Sequence, residues 1–492
     1  MATLLPLPCL PMIVLNRRLR SCLLVCASLL ASAIISPAAS NRPDVLFIAV
    51  DDLNDWTGHL GGHPQAKTPH IDRLVARGTA FTNAHCAAPA CNPSRAALMS
   101  GLRPWTTGIY TNGDPAQGVL KGVQTLNRHF LAQGYRTLGG GKIYHSFSSE
   151  GRKDSWTQWK GLFPSTHAAV HNLNGLKQDH FDWGTLNCQP SDMADHKLTT
   201  WAIEQLQQAP QDQPLFLAVG YVKPHLPWHV PAEYFARFPL ESIQLPEVMA
   251  EDLQDIPAAG VAMAKPEGDH AKVLAAGQWK QAVQGYLAAI SFLDDQVGRL
   301  MEGLDASPRR DKTIVVWWTD HGWALGEKQH WRKFALWEET TRTSFAIAAP
   351  GITKPNSRCS APVDYTHVYP TLCELAKLPT PPQVKGRSLL PLLKDPSAAW
   401  QEVAICSHGR GNHAARDGRW RYIRYADGSE ELYDHQTDPM EWTNLASEPA
   451  HQKVKAGLAA NFPIEEALPA SGSGKRGGRK AAAKAQRAEP SR

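Results

Sequence analysis

The sequence predicts an α/β fold: a large, mostly parallel sheet flanked by helices, with a smaller antiparallel sheet toward the C-terminus. Three observations predict it. Short apolar runs rich in β-branched residues recur and each ends in polar chemistry, as in "PDVLFIAVDD", "PLFLAVGYVKPHLP" and "KTIVVWWTDHGW". Runs of that kind suit parallel strands buried on both faces. Segments with helical spacing lie between them, which is the alternation of an α/β sheet. Beyond about Thr371 the pattern changes to alternating aromatic and polar residues, "HAARDGRWRYIRYADGSEELYDH".

Taken in order, the N-terminus reads as a secretory leader over residues 1–40. Arg17, Arg18 and Arg20 precede an apolar stretch, Ser21 to Ile35, too short to span a membrane comfortably, and Ala38-Ala39-Ser40 suits cleavage. The expected location is therefore secreted or periplasmic, with no integral membrane segment once the leader is removed. "TPHIDRLVARG" follows the first strand: Thr68 suits an N-cap, Pro69 the first helical position and Gly78 the stop. Before "KTIVVWW", Val283, Tyr286, Leu287, Ile290, Leu293, Val297, Leu300 and Leu304 recur at helical spacing. Asp417-Gly418 and Asp427-Gly428 mark hairpin turns in the C-terminal sheet, which a helix should cover before about Pro463. Residues 150–195 and 246–269 read as long loops. The expected division is a leader over 1–40, a catalytic domain over 41–370, a C-terminal subdomain over 371–465 and a basic, low-complexity tail over 466–492.

At 492 residues, 43% hydrophobic and 20% charged, the chain can bury a large core. Its net charge of +5 comes from the ends: the leader carries +3 and the segment from Ser471 +6, leaving −4 on the body. That body has no nucleic-acid footprint. Six cysteines remain beyond the leader: Cys86, Cys91, Cys188, Cys359, Cys373 and Cys406. No pair has zinc-type spacing.

The strand ends gather the candidate chemistry. In open α/β sheets ligands bind beyond the carboxyl ends of the strands. Asp51 and Asp52 end one run; Asp320 and His321 end another. Adjacent carboxylates repel unless a cation lies between them, and hard oxygen donors suit Ca²⁺ or Mg²⁺. Cys91 stands at a helix entrance in "CNPSRAALMSG", where Asn92 suits the cap, Pro93 the opening and Arg95 a tetrahedral oxyanion. From these neighbours alone Cys91 reads equally as a reactive nucleophile or half of a disulfide.

"CNPSRAALMSG" resembles the sulfatase signature C-x-P-S-R-x-x-x-x-[ST]-G. "VLFIAVDDLNDW", "GGGKIYH", "KPHLPWHVP", "DHGWALGE", "DYTHVYPTLCELAKLPTPP" and "ELYDHQTDPMEWTNLA" resemble further blocks of that family, in its order, from Pro43 to Leu445. "KPHLP" and "DHGWALGE" look most like the iduronate-2-sulfatase branch and its bacterial relatives. The resemblance implies an alkaline-phosphatase-like sandwich and hydrolysis of sulfate esters. It implies that a maturation enzyme converts Cys91 to formylglycine, an aldehyde whose hydrate is the nucleophile. It also implies one Ca²⁺ held by Asp51, Asp52, Asp320, His321 and residue 91. Arg95 would orient the hydrate, and Lys142 and Lys333 would bind sulfate. His145 would take the second hydroxyl's proton, and His225 would protonate the leaving alcohol. The implied substrate is a sulfated carbohydrate cleaved from a chain end, a 2-O-sulfated uronic acid being one candidate. The alternatives are a phosphatase or phosphonate hydrolase on the same fold, or an inactive sulfated-glycan-binding protein. One departure stands out: many family members read T-G-R after the signature, and here Ser100-Gly101-Leu102 precedes Arg103. Either Arg103 substitutes for that arginine or Leu102 weakens a local contact. Trp56, Trp105, Trp228, Trp323, Trp331 and Trp337 lie near the motifs. Packing is the expected role of most, with one or two free to stack on a sugar.

Overall fold

The computed structural model describes residues 42–145, 154–164, 169–178 and 180–470. The expected leader and the tail from residue 471 lie outside the described residues. Eight strands form the main sheet: β1 (Asp44–Asp51), β2 (Thr79–Phe81), β3 (Arg136–Gly141), β4 (Gln158–Trp159), β5 (Leu215–Pro224), β6 (Thr313–Thr319), β7 (Phe345–Ala348) and β8 (Ser357–Cys359). Their order is β8-β2-β7-β6-β1-β5-β3-β4. All neighbours are parallel except β7, which runs antiparallel to β2 and β6. The expected mostly parallel sheet is what the chain forms.

β1 is central and buried along its whole length. Successive side chains point to opposite faces, so its apolar run feeds two cores. Leu46, Ile48 and Val50 join one cluster with the long helix over Trp279–Asp305; Val45, Phe47 and Ala49 join a second beneath the C-terminal region. Helix α1 (Pro69–Val75) keeps Pro69 at its first position. Thr68 makes no side-chain cap there; its hydroxyl donates to Asp72 and accepts from the Gly58 N–H. Helix α2 (Cys91–Ser100) is wholly buried. Helix α3 (Ala194–Gln208) packs with α5 (Trp279–Asp305), whose 27 residues carry the expected apolar stripe. The segment expected as a loop over 246–269 contains a helix, α4 (Ala258–Ala264), entered through Pro257.

The C-terminal sheet is antiparallel: β9 (Ala404–Ser407), β10 (His413–Arg416), β11 (Trp420–Arg424) and β12 (Glu430–Asp434). Cys406, Ala414, Ile423 and Tyr433 face the second core, while Ile405, Ala415, Tyr422 and Leu432 meet helix α7 (Gln452–Ala459) and Phe462. Between β8 and this sheet, helix α6 (Val368–Leu375) spans residue 371 and packs in the second core. Residues 466–470, which the sequence places in the tail, are bonded to the body. Glu466 accepts from the Gly411 N–H at 3.0 Å, and the Ala467 and Ala470 amides donate to Trp105 and Gly108. Among the described residues no helix is long and apolar enough to cross a membrane.

Candidate active site

Three strand ends and one helix entrance converge. β1 ends at Asp51; β6 delivers Asp320 and His321; β5 delivers His225; α2 begins at Cys91. One ligand atom from each of Asp51, Asp52, Cys91, Asp320 and His321 lies within 4.8 Å of all the others, and all five residues are buried. The Cys91 Sγ is 3.4 Å from His321 Nε2 and 3.9 Å from Asp52 Oδ1. The entrance differs from expectation at one residue. Ala90 is the N-cap and Cys91 the first helical residue. Asn92 does not cap, because its amide donates instead to the carbonyls of Thr111 and Asp114, both at 3.0 Å.

Local backbone geometry fixes the charged groups. Asp52 has φ 61°, a left-handed conformation that non-glycine residues seldom adopt. It is held at both ends: its N–H donates to Asp320 Oδ1 at 3.0 Å, and its carbonyl accepts from the Tyr286 hydroxyl at 2.7 Å. The same hydroxyl accepts from the Asn54 N–H at 2.9 Å. Gly141, at φ 75°, turns β3 into Lys142; a Cβ there would stand 2.0 Å from the Gly220 carbonyl. Only glycine fits that approach.

Arg95 is fully buried. Its guanidinium donates to Asp320 Oδ2 at 2.9 Å, Asp51 Oδ1 at 3.2 Å and the Val50 carbonyl at 3.1 Å, with further bonds to the carbonyls of Lys142 and Ile143. Its donors are thus spent on the chain, fixing two carboxylates. The Lys142 ammonium pairs with Asp51 and lies 3.9 Å from Cys91 Sγ. Lys333 donates to Asp52 Oδ1 at 2.6 Å and reaches Cys91 Sγ at 3.0 Å. His225 directs Nε2 at Asp52 and Asp51, 3.7 and 4.0 Å away, while Nδ1 bonds the Leu226 carbonyl at 2.6 Å. His145 stands at the rim, beside a cavity it shares with Asn92, and its buried Nδ1 has no partner among the described residues.

The electrostatics follow from this packing. Burial opposes the Asp51 charge, but Lys142, His225 and Arg95 outweigh it and hold the carboxyl well below the usual range. Burial pushes the Cys91 thiol up, against the opposing pull of Lys142 and Lys333. Burial lowers His225 to about 4. Burial, reinforced by the Lys142 charge, lowers His145 to about 4. His321 Nδ1 lies 2.9 Å from the Gly322 carbonyl. Donating there leaves Nε2 as a lone pair facing the carboxylates, the tautomer that binds metals. Asp52 Oδ2 is buried with no hydrogen-bond partner among the described residues. Three buried carboxylates, one imidazole lone pair and an orphaned oxygen fit a hard divalent cation.

Some neighbours of the site carry no signal in the sequence. Tyr286 reads as one apolar position among eight in α5, and nothing in that periodicity signals its hydroxyl. Ser94 donates its hydroxyl to the Asp320 carbonyl at 2.5 Å. Arg103 is spent elsewhere, paired with buried Asp364 at 2.8 Å and bonded to the Ile405 carbonyl. Of the six tryptophans near the motifs, Trp56, Trp228, Trp323, Trp331 and Trp337 are buried and pack in the core.

Known proteins resemble this chain in sequence and in fold. The Sulfatase family model matches residues 43–378, and the model for the C-terminal part of N-sulphoglucosamine sulphohydrolase matches residues 326–466. A sulfatase of Formosa agariphila is 37% identical over 444 residues, covering 86% of this chain and 87% of that one. Human iduronate 2-sulfatase is 29% identical over 412 residues, covering 73% of each. A structure solved with its substrate D-glucosamine-2-N,6-O-disulfate superimposes with TM-score 0.70 at 20% identity, covering 85% of this chain and 96% of that one. A phosphonate monoester hydrolase of Agrobacterium radiobacter also gives 0.70, at 22% identity, covering 85% and 94%. At such identities the two solved structures speak to the fold alone.

Proposed function

Because the chain belongs to the sulfatase family, and so hydrolyses sulfate esters, we propose that its substrate is an O-sulfated carbohydrate, cleaved one terminal residue at a time. A 2-O-sulfated uronic acid is the specific candidate. The observation that carries the reaction is the cluster around Cys91, where three carboxylates, a histidine and two lysines surround one sulfur. The likeness to iduronate 2-sulfatase supports the substrate. The matched phosphonate hydrolase shares the fold without favouring that chemistry here.

In this reading Cys91 is the precursor of formylglycine, made by a separate maturation enzyme, and its sulfur stands where the hydrated aldehyde's oxygens would stand. Asp51, Asp52, Asp320, His321 and residue 91 would hold one divalent cation, Ca²⁺ in our reading. Once bound, it would supply positive charge that eases ionisation of the hydrate and polarises the sulfate group. Arg95 keeps Asp51 and Asp320 aimed at that position. Lys142 and Lys333 compensate the negative charge on the sulfate oxygens.

One hydroxyl of the hydrate, having given up its proton to water, would attack sulfur. The new O–S bond forms as the bond from sulfur to the sugar oxygen breaks, and its electron pair leaves on that oxygen. His225 supplies the proton, its pKa raised by the bound anion. The second hydroxyl then yields its proton to His145, the bond from residue 91 to the sulfate oxygen breaks, and sulfate leaves. The restored aldehyde takes up water for the next cycle.

The test is a panel of sulfated mono- and disaccharides, an aryl sulfate and a phosphonate monoester, with Cys91→Ala as control. Sulfate release from a 2-O-sulfated uronate, lost in the control, is expected. Activity retained in Cys91→Ala, or confined to the phosphonate, would overturn the reading.

A further inference from the structure

We propose that Lys265 is the counter-ion for a second anionic group on the substrate, a carboxylate or a second sulfate on the same sugar. The proposal rests on the sulfated-carbohydrate reading above and adds where the rest of that sugar is recognised.

A cavity of about 270 Å³ adjoins the reacting centre. Lys333 lines it and also reaches the Cys91 sulfur at 3.0 Å. Lys265, Arg332, Asp269, His330, Trp331 and Phe334 complete its charged and aromatic wall. Three cations therefore border this space, and two are neutralised by the chain. Lys333 pairs with Asp52 at 2.6 Å, and Arg332 pairs with Asp269 at 2.6 Å. Among the described residues the Lys265 ammonium has no ion pair or hydrogen bond. An anion entering the cavity would meet one uncompensated positive charge.

The backbone makes lysine unexpected there. Lys265 closes helix α4 in the left-handed region, φ 54° and ψ 57°, and its N–H caps the helix on the Val261 carbonyl. Glycine suits that position best, since a Cβ is strained there. The site therefore carries a charged side chain against local backbone preference. Its placement is also fixed relative to the reacting centre. The buried His330 ring spans the carbonyls of Ala264 and Lys333, both at 2.9 Å, and so links the residue before Lys265 to the one beside Cys91. His408 packs its ring 6.0 Å from that of Phe334, and its buried Nδ1 has no partner among the described residues. Burial, with smaller contributions from His330 and Lys265, lowers His408 to about 4.

The experiment uses Lys265→Gly, which removes the charge and suits the left-handed backbone, with Lys265→Ala beside it. Steady-state kinetics would be measured on a neutral aryl sulfate, a monosulfated neutral sugar, a 2-O-sulfated uronate and a disulfated sugar. For Lys265→Gly we expect KM to rise about fivefold, the scale of one partly exposed charge pair, on the uronate or the disulfated sugar. The arm that responds identifies the second anion. The two neutral substrates should keep their kinetics, and the melting temperature should hold or rise. Equal KM changes on all four substrates, or on none, would overturn the proposal. Absence of activity on every sulfate in the wild type would instead sink the carbohydrate reading.

Discussion

Replacing Tyr286 by phenylalanine removes one oxygen and keeps the ring, which packs against Trp56 and Trp228 at centroid distances of 5.4 and 5.3 Å. That oxygen donates to the Asp52 carbonyl at 2.7 Å and accepts from the Asn54 N–H at 2.9 Å. Both residues are fully buried, so the change strands two backbone groups away from water. Each buried unpaired group costs about 1–3 kcal/mol, which puts the loss of folding stability at about 2–4 kcal/mol after partial relaxation. A second consequence is specific to the site. Asp52 is held at φ 61°, a conformation costing about 1–2 kcal/mol for a residue with a Cβ. Without the hydroxyl, the free protein can release that strain, and a bound cation must restore it. The cation affinity should then fall by about five- to thirtyfold, which is 1–2 kcal/mol at about 1.4 kcal/mol per decade. The assay is calorimetric titration of chelator-treated wild type and Tyr286→Phe with Ca²⁺, alongside urea unfolding of both. A variant that loses stability but binds Ca²⁺ within twofold of wild type would refute the positioning role.

Three other outcomes are expected. Arg103→Ala leaves the buried Asp364 carboxylate unpaired and should cost about 3 kcal/mol at pH 7. Burial opposes the Asp364 charge, yet Arg103 and His367 hold its pKa well below the usual carboxylate range. The stabilisation is therefore present above the unfolded pKa, about 4, and is lost as pH falls below it; unfolding curves of the two proteins should converge toward acid pH. A gap that widens there would contradict the assignment. His225→Ala should lower kcat about a hundredfold on a sugar sulfate and far less on a nitrophenyl sulfate, whose leaving group needs no proton; equal losses would remove His225 from proton transfer. Chelation should lower the melting temperature, because Asp51, Asp52 and Asp320 are buried together, and added Ca²⁺ should restore it. An unmoved melting temperature would argue against a cation there.

What the sequence made legible is mostly what the parallel sheet dictates. β1, β5 and β6 are buried on both faces, so their residues form continuous apolar runs, and each run stops where the chain leaves the sheet. Asp51, His225 and Asp320 sit at those stops. Arg95 and Cys91 share the entrance of one helix, a local relation that spacing preserves. Relations set by tertiary crossings were not legible. Tyr286 reaches Asp52 across 234 positions, and Arg103 reaches Asp364 across 261. Asn92 has the chemistry of a cap, but the carbonyls of Thr111 and Asp114 offered its amide better partners than the helix did. Helix α4 carried a readable signal, Pro257 followed by "AAGVAMA", which its proline- and glycine-rich flanks obscured. At Lys265 the strain and the unpartnered charge appear only once the backbone is seen.

The central claim is that residue 91 acts as an aldehyde hydrate within this cluster of acids and lysines. Its most direct test is mass spectrometry of the peptide spanning residues 78–95, from protein expressed with a competent maturation enzyme, with and without a hydrazide that traps aldehydes. The trapped fraction would be compared with the specific activity of the same samples. A hydrazide adduct at residue 91, and activity proportional to that adduct, are expected. Full activity from protein holding only a thiol or a disulfide at Cys91 would contradict it.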